Sequence, residues 1–218
     1  MKEFDIYHGL LVIPLGDFYF GTFKNFLPHG FINLKCANGD QFEGFMHYGK
    51  REGKGKIEWS DGSKYVGTFK NGKKWGEGTY KYANGDVYKG VFSDDLKNGR
   101  GAYIWSDGRR YVGEWLNDLK EGEGMFEWGN GLVYNGQWKE DLKEGSGVVD
   151  YPDGKKVQGK WVKDMLHGRA VVIGAKGETR EQFWHFGSLD LIKNRKLESS
   201  DAKRGNRLGL GFGEDFDE

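Results

Sequence analysis

Cysteine occurs once, at Cys36, so no disulfide can form within the chain, and a reducing compartment is expected. Proline is nearly absent, at three residues in 218, which excludes a proline-rich linker. Net charge is zero: 33 basic residues balance 33 acidic ones, so no global field draws the chain to nucleic acid or to an anionic membrane. No apolar run approaches the roughly 20 residues that a membrane span requires. The first residues, Met1-Lys2-Glu3-Phe4-Asp5, lack the layout of a secretory signal, so a cytoplasmic location is expected. The five histidines (His8, His29, His47, His167, His185) meet no carboxylate or thiol at metal or triad spacing. No glycine-rich stretch is followed by the lysine and hydroxyl of a phosphate loop. Enzyme activity, a metal and a cofactor are therefore not expected.

What the chain has in excess is glycine, 37 residues, together with 16% aromatic residues. The glycines are not scattered. Tyr65-Val66-Gly67-Thr68-Phe69 returns 23 residues later as Tyr88-Lys89-Gly90-Val91-Phe92, then as Tyr111-Val112-Gly113-Glu114-Trp115 and Tyr134-Asn135-Gly136-Gln137-Trp138. Related versions lie in phase at Tyr19–Phe23, Phe42–Met46 and Val157–Trp161, giving seven units without insertion or deletion. A Gly-x-Gly pair (Gly76 and Gly78 in one unit) and an Asn-Gly or Asp-Gly step (Asp61-Gly62, Asn84-Gly85) keep the same period. Most of the glycine excess is thus a property of the repeat.

The repeat reads as strands. Tyr65, Gly67 and Phe69 are two apart and share one face of an extended segment, as do Gly76, Gly78, Tyr80 and Tyr82, while Glu77, Thr79 and Lys81 fall on the other. Asn38-Gly39, Asp61-Gly62, Asn84-Gly85, Asp107-Gly108, Asn130-Gly131 and Asp153-Gly154 are expected to form tight two-residue hairpins, with a second connection of about six residues, as at 70–75. Glycine in mid-strand is expected to lie beneath an aromatic ring from a neighbouring strand. The fold expected is all-β: an elongated, single-layer antiparallel meander of stacked hairpins over residues 1–177. The edge units, with Ile32 and Ala170 where glycine is expected, read as caps. A capping segment occupies 178–204, in which Phe183, Trp184 and Phe186 cover the last strand and a short helix falls within 189–203. Residues 205–218 read as an irregular acidic tail.

The recurring Tyr-x-Gly-x-Trp, Gly-x-Gly and Asp/Asn-Gly-x-x-Tyr elements resemble the MORN (membrane occupation and recognition nexus) repeat from about residue 7 to 177. His29 and His167 stand where that family often has a histidine. The resemblance implies a β-hairpin array for protein–protein interaction, often in cilia, flagella and membrane-associated cytoskeleton, with phosphoinositide contact as a further family property.

The repeat presents three candidate surfaces. The aromatic face carries Tyr65, Phe69, Tyr82, Tyr88, Phe92, Trp105, Tyr111, Trp115, Trp128, Tyr134 and Trp138. Either these rings only pack on one another, or a single-layer sheet leaves them open to a helix or an extended segment of a protein partner. The loop edge carries Leu96, Leu119, Leu142 and Met165 in phase, which either tuck over the strand ends or form a ladder for a partner. Basic residues form the third. Arg109-Arg110 and Lys155-Lys156 come after Asp-Gly turns in a 46-residue super-period, and Lys50, Arg51, Lys70, Lys73 and Lys74 cluster at the opposite edge. They are candidate contacts for phospholipid headgroups or an acidic partner. Nucleic acid is not expected, because most aromatic residues are needed by the repeat itself.

Overall fold

The computed structural model describes residues 6–14 and 16–195. It contains seventeen strands: β1 (Ile6–Val12), β2 (Phe18–Lys24), β3 (Leu27–Lys35), β4 (Gln41–His47), β5 (Lys50–Glu58), β6 (Lys64–Lys70), β7 (Lys73–Lys81), β8 (Val87–Ser93), β9 (Leu96–Ile104), β10 (Arg110–Leu116), β11 (Leu119–Glu127), β12 (Val133–Lys139), β13 (Leu142–Asp150), β14 (Lys156–Val162), β15 (Met165–Ile173), β16 (Thr179–His185) and β17 (Ser188–Leu189). One helical turn covers residues 191–195. The chain divides into two compact units, Met1–Gly129 with Lys139–Asp141, and Asn130–Trp138 with Leu142–Glu218.

In the first unit β1 to β11 form a meander, each strand antiparallel to its neighbour in sequence. In the second, β13 to β17 do the same. There β12 lies beside β13, the Ser146 amide donating to Gln137 Oε1 at 2.8 Å. Each unit is a single-layer sheet. Its two faces differ as the alternation requires: β4 reads exposed and buried in strict turn from Gln41 to His47.

The two connections are the reverse of the expectation. The tight loops are not the Asn-Gly and Asp-Gly steps at 38–39, 61–62 and their equivalents. They lie at the other connection, as at Asn71-Gly72 (φ 51° and 87°), Asp94-Asp95 (49° and 74°), Asn117-Asp118 (49° and 71°) and Glu140-Asp141 (48° and 71°). Both residues of each have positive φ, the type I′ geometry that matches strand twist. The Asp61-Gly62 step belongs to a longer loop. Gly62 N–H donates to Trp59 O (2.9 Å), Trp59 N–H donates to Ser63 O (2.9 Å), and only Gly62 takes positive φ, 88°. Asp61 acts through its side chain, Oδ1 accepting from the Ser63 amide at 2.8 Å, and Asn38, Asn84, Asp107, Asn130 and Asp153 do likewise.

The glycines of the Gly-x-Gly pair have separate tasks. Gly76 has φ 64° and sits where the β6–β7 register shifts, between the pairs Gly67↔Gly78 and Thr68↔Trp75, so it forms a bulge. Gly78 lies opposite Gly67 beneath the Tyr65 ring. A methyl group at Gly78 would stand 2.5 Å from Tyr65 Cε2. The covering ring therefore comes from the tyrosine two residues before Gly67 on its own strand, and it shields both glycines of the hairpin. Tyr88, Tyr111 and Tyr134 cover Gly90 and Gly101, Gly113 and Gly124, and Gly136 and Gly147 in the same way. Each hydroxyl donates at 3.0 Å to the carbonyl three residues on, at Thr68, Val91, Glu114 and Gln137. In the edge units Ile32 and Ala170, both buried, replace the expected glycines.

The hairpin pattern continues past residue 177. Phe183 and Trp184 cover the edge of β15, the last strand within residues 1–177, as members of a further strand, β16, through the pairs Arg169↔Phe183 and Gly168↔Trp184. Residues 188–194 in turn cover β16. β17 pairs with β16, Asp190 N–H donates to Phe183 O (2.8 Å), and the Asn194 side chain bonds the Phe183 amide (3.0 Å) and carbonyl (3.1 Å). The expected acidic tail at 205–218 lies outside the described residues.

Candidate functional site

Burial separates the aromatic residues into two sets. Tyr65, Tyr88, Tyr111 and Tyr134 are completely buried, and Phe69, Phe92, Trp115 and Trp138 nearly so. Tyr65 meets Phe69 (5.1 Å) and, from the next repeat, Phe92 (5.2 Å) edge to face; Tyr88 does the same with Phe92 (5.0 Å) and Trp115 (5.6 Å). In the second unit Tyr134 packs on Trp138 (5.2 Å) and Trp161 (5.5 Å). Burial raises the Tyr65 hydroxyl to about 12, and drives those of Tyr88 and Tyr111 higher still. These eight residues are core, and a partner reaches none of them without opening the sheet.

Tyr82, Trp105 and Trp128 are half-buried and keep an open ring surface. They belong to a band on the same face. In the first unit Trp59 meets Tyr80 (5.3 Å), Tyr80 meets Tyr82 (4.4 Å), Tyr82 meets Tyr103 (5.5 Å), Tyr103 meets Trp105 (4.5 Å), Trp105 meets Phe126 (5.2 Å) and Phe126 meets Trp128 (4.4 Å). The chain of ring contacts is unbroken, and every member except Phe126 is half-exposed. Trp59, Tyr80, Tyr103 and Phe126 escape a search for the Tyr-x-Gly motif because Tyr80, Tyr103 and Phe126 lie on the partner strand and Trp59 comes directly after β5. Their signal is the aromatic pair spaced two apart before Asn84-Gly85, Asp107-Gly108 and Asn130-Gly131, with Ile57 and Trp59 in the same places before Asp61-Gly62.

Beneath this band sits Asp86, almost fully buried, whose carboxylate accepts from the Ser106 amide (2.8 Å) and the Tyr103 hydroxyl (2.7 Å). Burial pushes this carboxyl up, but its hydrogen bonds, from the Ser106 amide first and from the Tyr103, Asn84 and Ser106 side chains, outweigh it and hold it below the ordinary 3.8. Asp40 links to the next turn in the same manner through the Ser60 amide (2.9 Å). Sequence alternation gives the residue type here, not its burial.

The loop edge is clamped from repeat to repeat. Asp95, Asp118 and Asp141 accept the amides of Lys74, Lys97 and Lys120 at 2.8–2.9 Å, and in the second unit Asp164 accepts that of Lys143 at 3.0 Å. The Lys97 ammonium pairs with Asp118 (2.9 Å) and lies 5.0 Å from the centre of the Trp115 ring. Leu96, Leu119, Leu142 and Met165 are the first residues of their strands and are a little over a third exposed.

The basic residues are mostly engaged by the chain itself. Lys73 pairs with Asp94 (3.1 Å), Lys156 with Asp150 (2.8 Å) and Arg109 with Asp107 (2.8 Å). Lys70 lies over Trp75 (4.4 Å), Lys155 over Tyr151 (4.0 Å) and Arg51 over Phe69 (5.3 Å). Lys74 lies over Tyr80 (4.7 Å), and burial lowers its ammonium below the ordinary range. Of the nine candidates for an anionic ligand, Lys50 and Arg110 have neither an ion pair nor a ring contact among the described residues. Among these residues no cluster of His, Cys, Asp or Glu could hold a metal, and no helix is long and apolar enough to cross a membrane.

The MORN repeat model matches residues 42–64, 65–87, 88–109, 111–133, 134–156 and 158–179, more than half of the chain. The chain belongs to the MORN-repeat family. Its hairpins extend to both sides of the matched MORN segments, from β1 to β16. Comparison with curated protein sequences finds no match. Among solved structures the chain is similar to the TCP domain of SAS-4 (dCPAP) from Drosophila melanogaster, in complex with a proline-rich motif of Ana2 (dSTIL). That match has 13% identity and a TM-score of 0.45, over 70% of this chain and 83% of that one. It is also similar to the TCP10 domain of Danio rerio CPAP in complex with a STIL peptide, at 12% identity and a TM-score of 0.36, over 83% and 100%. Both are distant likenesses. Membership of the MORN family supports a non-catalytic scaffold that binds partners.

Proposed function

We propose that this MORN-repeat chain holds a partner protein as an extended segment laid across the aromatic ladder from Trp59 to Trp128. The observation that carries this is the unbroken chain of ring contacts on one face of the first unit, in which every ring but Phe126 is partly exposed. Apolar surface arranged in a continuous band favours an apolar occupant. The spacing favours an extended one. The ladder advances one aromatic pair per repeat, two strands of about 4.8 Å each, or about 9.6 Å. A polyproline II segment repeats every three residues, about 9.3 Å, so successive turns of such a segment meet successive ring pairs. The half-buried Trp105 and Trp128 are the anchors.

The assembly served is, in this proposal, cytoskeletal or ciliary; the family resemblance is its support, and the distribution of the tagged chain against tubulin markers tests it. The ladder is tested by Trp105→Ala with Trp128→Ala. Titration with proline-rich peptides, followed by tryptophan fluorescence and calorimetry, is expected to give saturable binding to the parent and none to the folded double variant. Equal binding by both removes the proposal.

A further inference from the structure

We propose that β1 pairs with β1 of a second copy of this chain, antiparallel about Gly9, joining two chains edge to edge. The proposal concerns a different surface from the aromatic ladder and does not depend on it.

The two terminal strands differ in how their outer edges are treated. β16 is covered by β17 and by the Asn194 side chain, which occupies both the amide and the carbonyl of Phe183. β1 pairs with β2 on one side, and among the described residues nothing pairs with its other side. Ile13 N–H donates to Asp17 O (3.1 Å) and continues the β1–β2 register. By antiparallel alternation, Tyr7, Gly9 and Leu11 turn their backbone groups toward β2, and His8 and Leu10 turn theirs outward. Sheet edges are commonly protected by charge or proline. Ile6–Val12 contains neither, and Ile6, Leu10 and Val12 are more than half exposed.

The sequence of β1 also fits a copy of itself. Across the first hairpin of each internal repeat, Tyr-x-Gly on one strand faces Gly-x-aromatic on the next. Examples are Tyr65↔Tyr80 with Gly67↔Gly78, Tyr88↔Tyr103 with Gly90↔Gly101, and Tyr111↔Phe126 with Gly113↔Gly124. β1 holds both halves in one strand: Tyr7-His8-Gly9 is the first, and Gly9-Leu10-Leu11 is the second with leucine as the apolar member. Turned about Gly9, two copies place Tyr7 opposite Leu11, glycine opposite glycine, and the outward groups of His8 opposite those of Leu10. The Gly9 pair is then of the narrow, non-hydrogen-bonded kind, as alternation makes Gly67↔Gly78, and Cα atoms there approach to about 4.5 Å. Gly9 is also the one glycine of its in-phase series with no ring over it; Gly55 lies under Phe42, and Gly78, Gly101, Gly124 and Gly147 lie under tyrosines. A two-fold pairing uses one surface twice and closes at two copies.

The test is the solution mass of the whole chain by light scattering over a dilution series. The expected result is about twice the 24.8 kDa of the single chain, falling to the single mass on dilution. Leu10→Pro removes an outward amide without touching the β1–β2 ladder, and Leu10→Lys places a charge on the exposed strip opposite His8. Both variants are expected to stay at the single mass with an unchanged circular dichroism spectrum. In the parent, the His8 and Leu10 amides are expected to exchange slowly with solvent, and to lose that protection on dilution. A parent that has the single mass at every concentration overturns the proposal. So does a double mass that both variants retain.

Discussion

Gly78→Ala tests the central packing unit, the tyrosine ring seated on a pair of bare glycines. The added methyl group would stand 2.5 Å from Cε2 and from the hydroxyl of Tyr65, inside any real contact distance, with Gly67 held directly opposite. The ring has nowhere to retreat, since Phe69 and Phe92 flank it edge-on at 5.1 and 5.2 Å. Overpacking of this kind costs about 1–3 kcal/mol. Gly9→Ala is the control. Its methyl group meets nothing within 4 Å, so the substitution should be neutral or stabilise by about 0.4–1 kcal/mol through the unfolded chain. The collision can be isolated by removing its other member. Tyr65→Ala deletes a completely buried ring and should cost about 3–5 kcal/mol. In the double variant Gly78→Ala with Tyr65→Ala the new methyl group enters vacated space. Its cost should then fall short of the sum by about 1–3 kcal/mol, the coupling that a double-mutant cycle reads. Urea unfolding followed by tryptophan fluorescence supplies the four free energies, at monomer concentration so that the β1 edge does not enter. Equal effects of Gly78→Ala and Gly9→Ala, or strict additivity in the cycle, would refute the ring-on-glycine account.

Three further outcomes are expected. The folded Asp86 carboxyl lies below its ordinary 3.8, so its contribution is whole above about pH 5 and is lost as pH falls through and below 3.8; Asp86→Asn should flatten the acid limb of a stability-versus-pH curve, and an unchanged limb counts against the clamp. Asp118→Ala strands both the Lys97 amide and its ammonium, whereas Lys97→Met keeps the stem packed on Trp115; the first should cost about 1–3 kcal/mol and the second less, with the reverse order in thermal unfolding excluding the reasoning. Because Lys73, Lys74, Arg109 and Lys156 are spent on ion pairs or rings, flotation with phosphoinositide vesicles should show no binding at physiological salt; salt-sensitive flotation lost on neutralising Lys50 and Arg110 would contradict this.

The fold was legible wherever one physical cause acts alone. Period-2 alternation set Tyr65, Gly67 and Phe69 on one face, and the sheet keeps them there, with Tyr65 and Phe69 in the core. The turns depart from the expectation because two causes compete for the same dipeptide. Asn-Gly suits a type I′ loop, but Asp61-Gly62 must also come after Trp59 and Ser60, and a three-residue loop lets the Asp61 side chain bond the Ser63 amide while Gly62 alone takes positive φ. The type I′ loops meanwhile accept Asp94-Asp95 and Glu140-Asp141, where a short polar side chain in the second position reaches back to the preceding repeat. That cross-repeat bond is a tertiary fact, and no local preference announces it.

The aromatic surface shows the same division from the other side. A motif is visible in one sequence because the same geometric demand recurs, and here the demand is a ring closing over two glycines. The residues that announce the repeat, Tyr65, Tyr88, Tyr111 and Tyr134, are therefore the ones it consumes, and a partner cannot share them. In the proposed reading, contact falls to rings that the demand leaves partly free, Tyr82, Trp105 and Trp128, each the residue that comes directly after the second strand of its hairpin. In this single-layer repeat the signature spells the core, and a surface for a partner has to be sought among the residues that the signature leaves out.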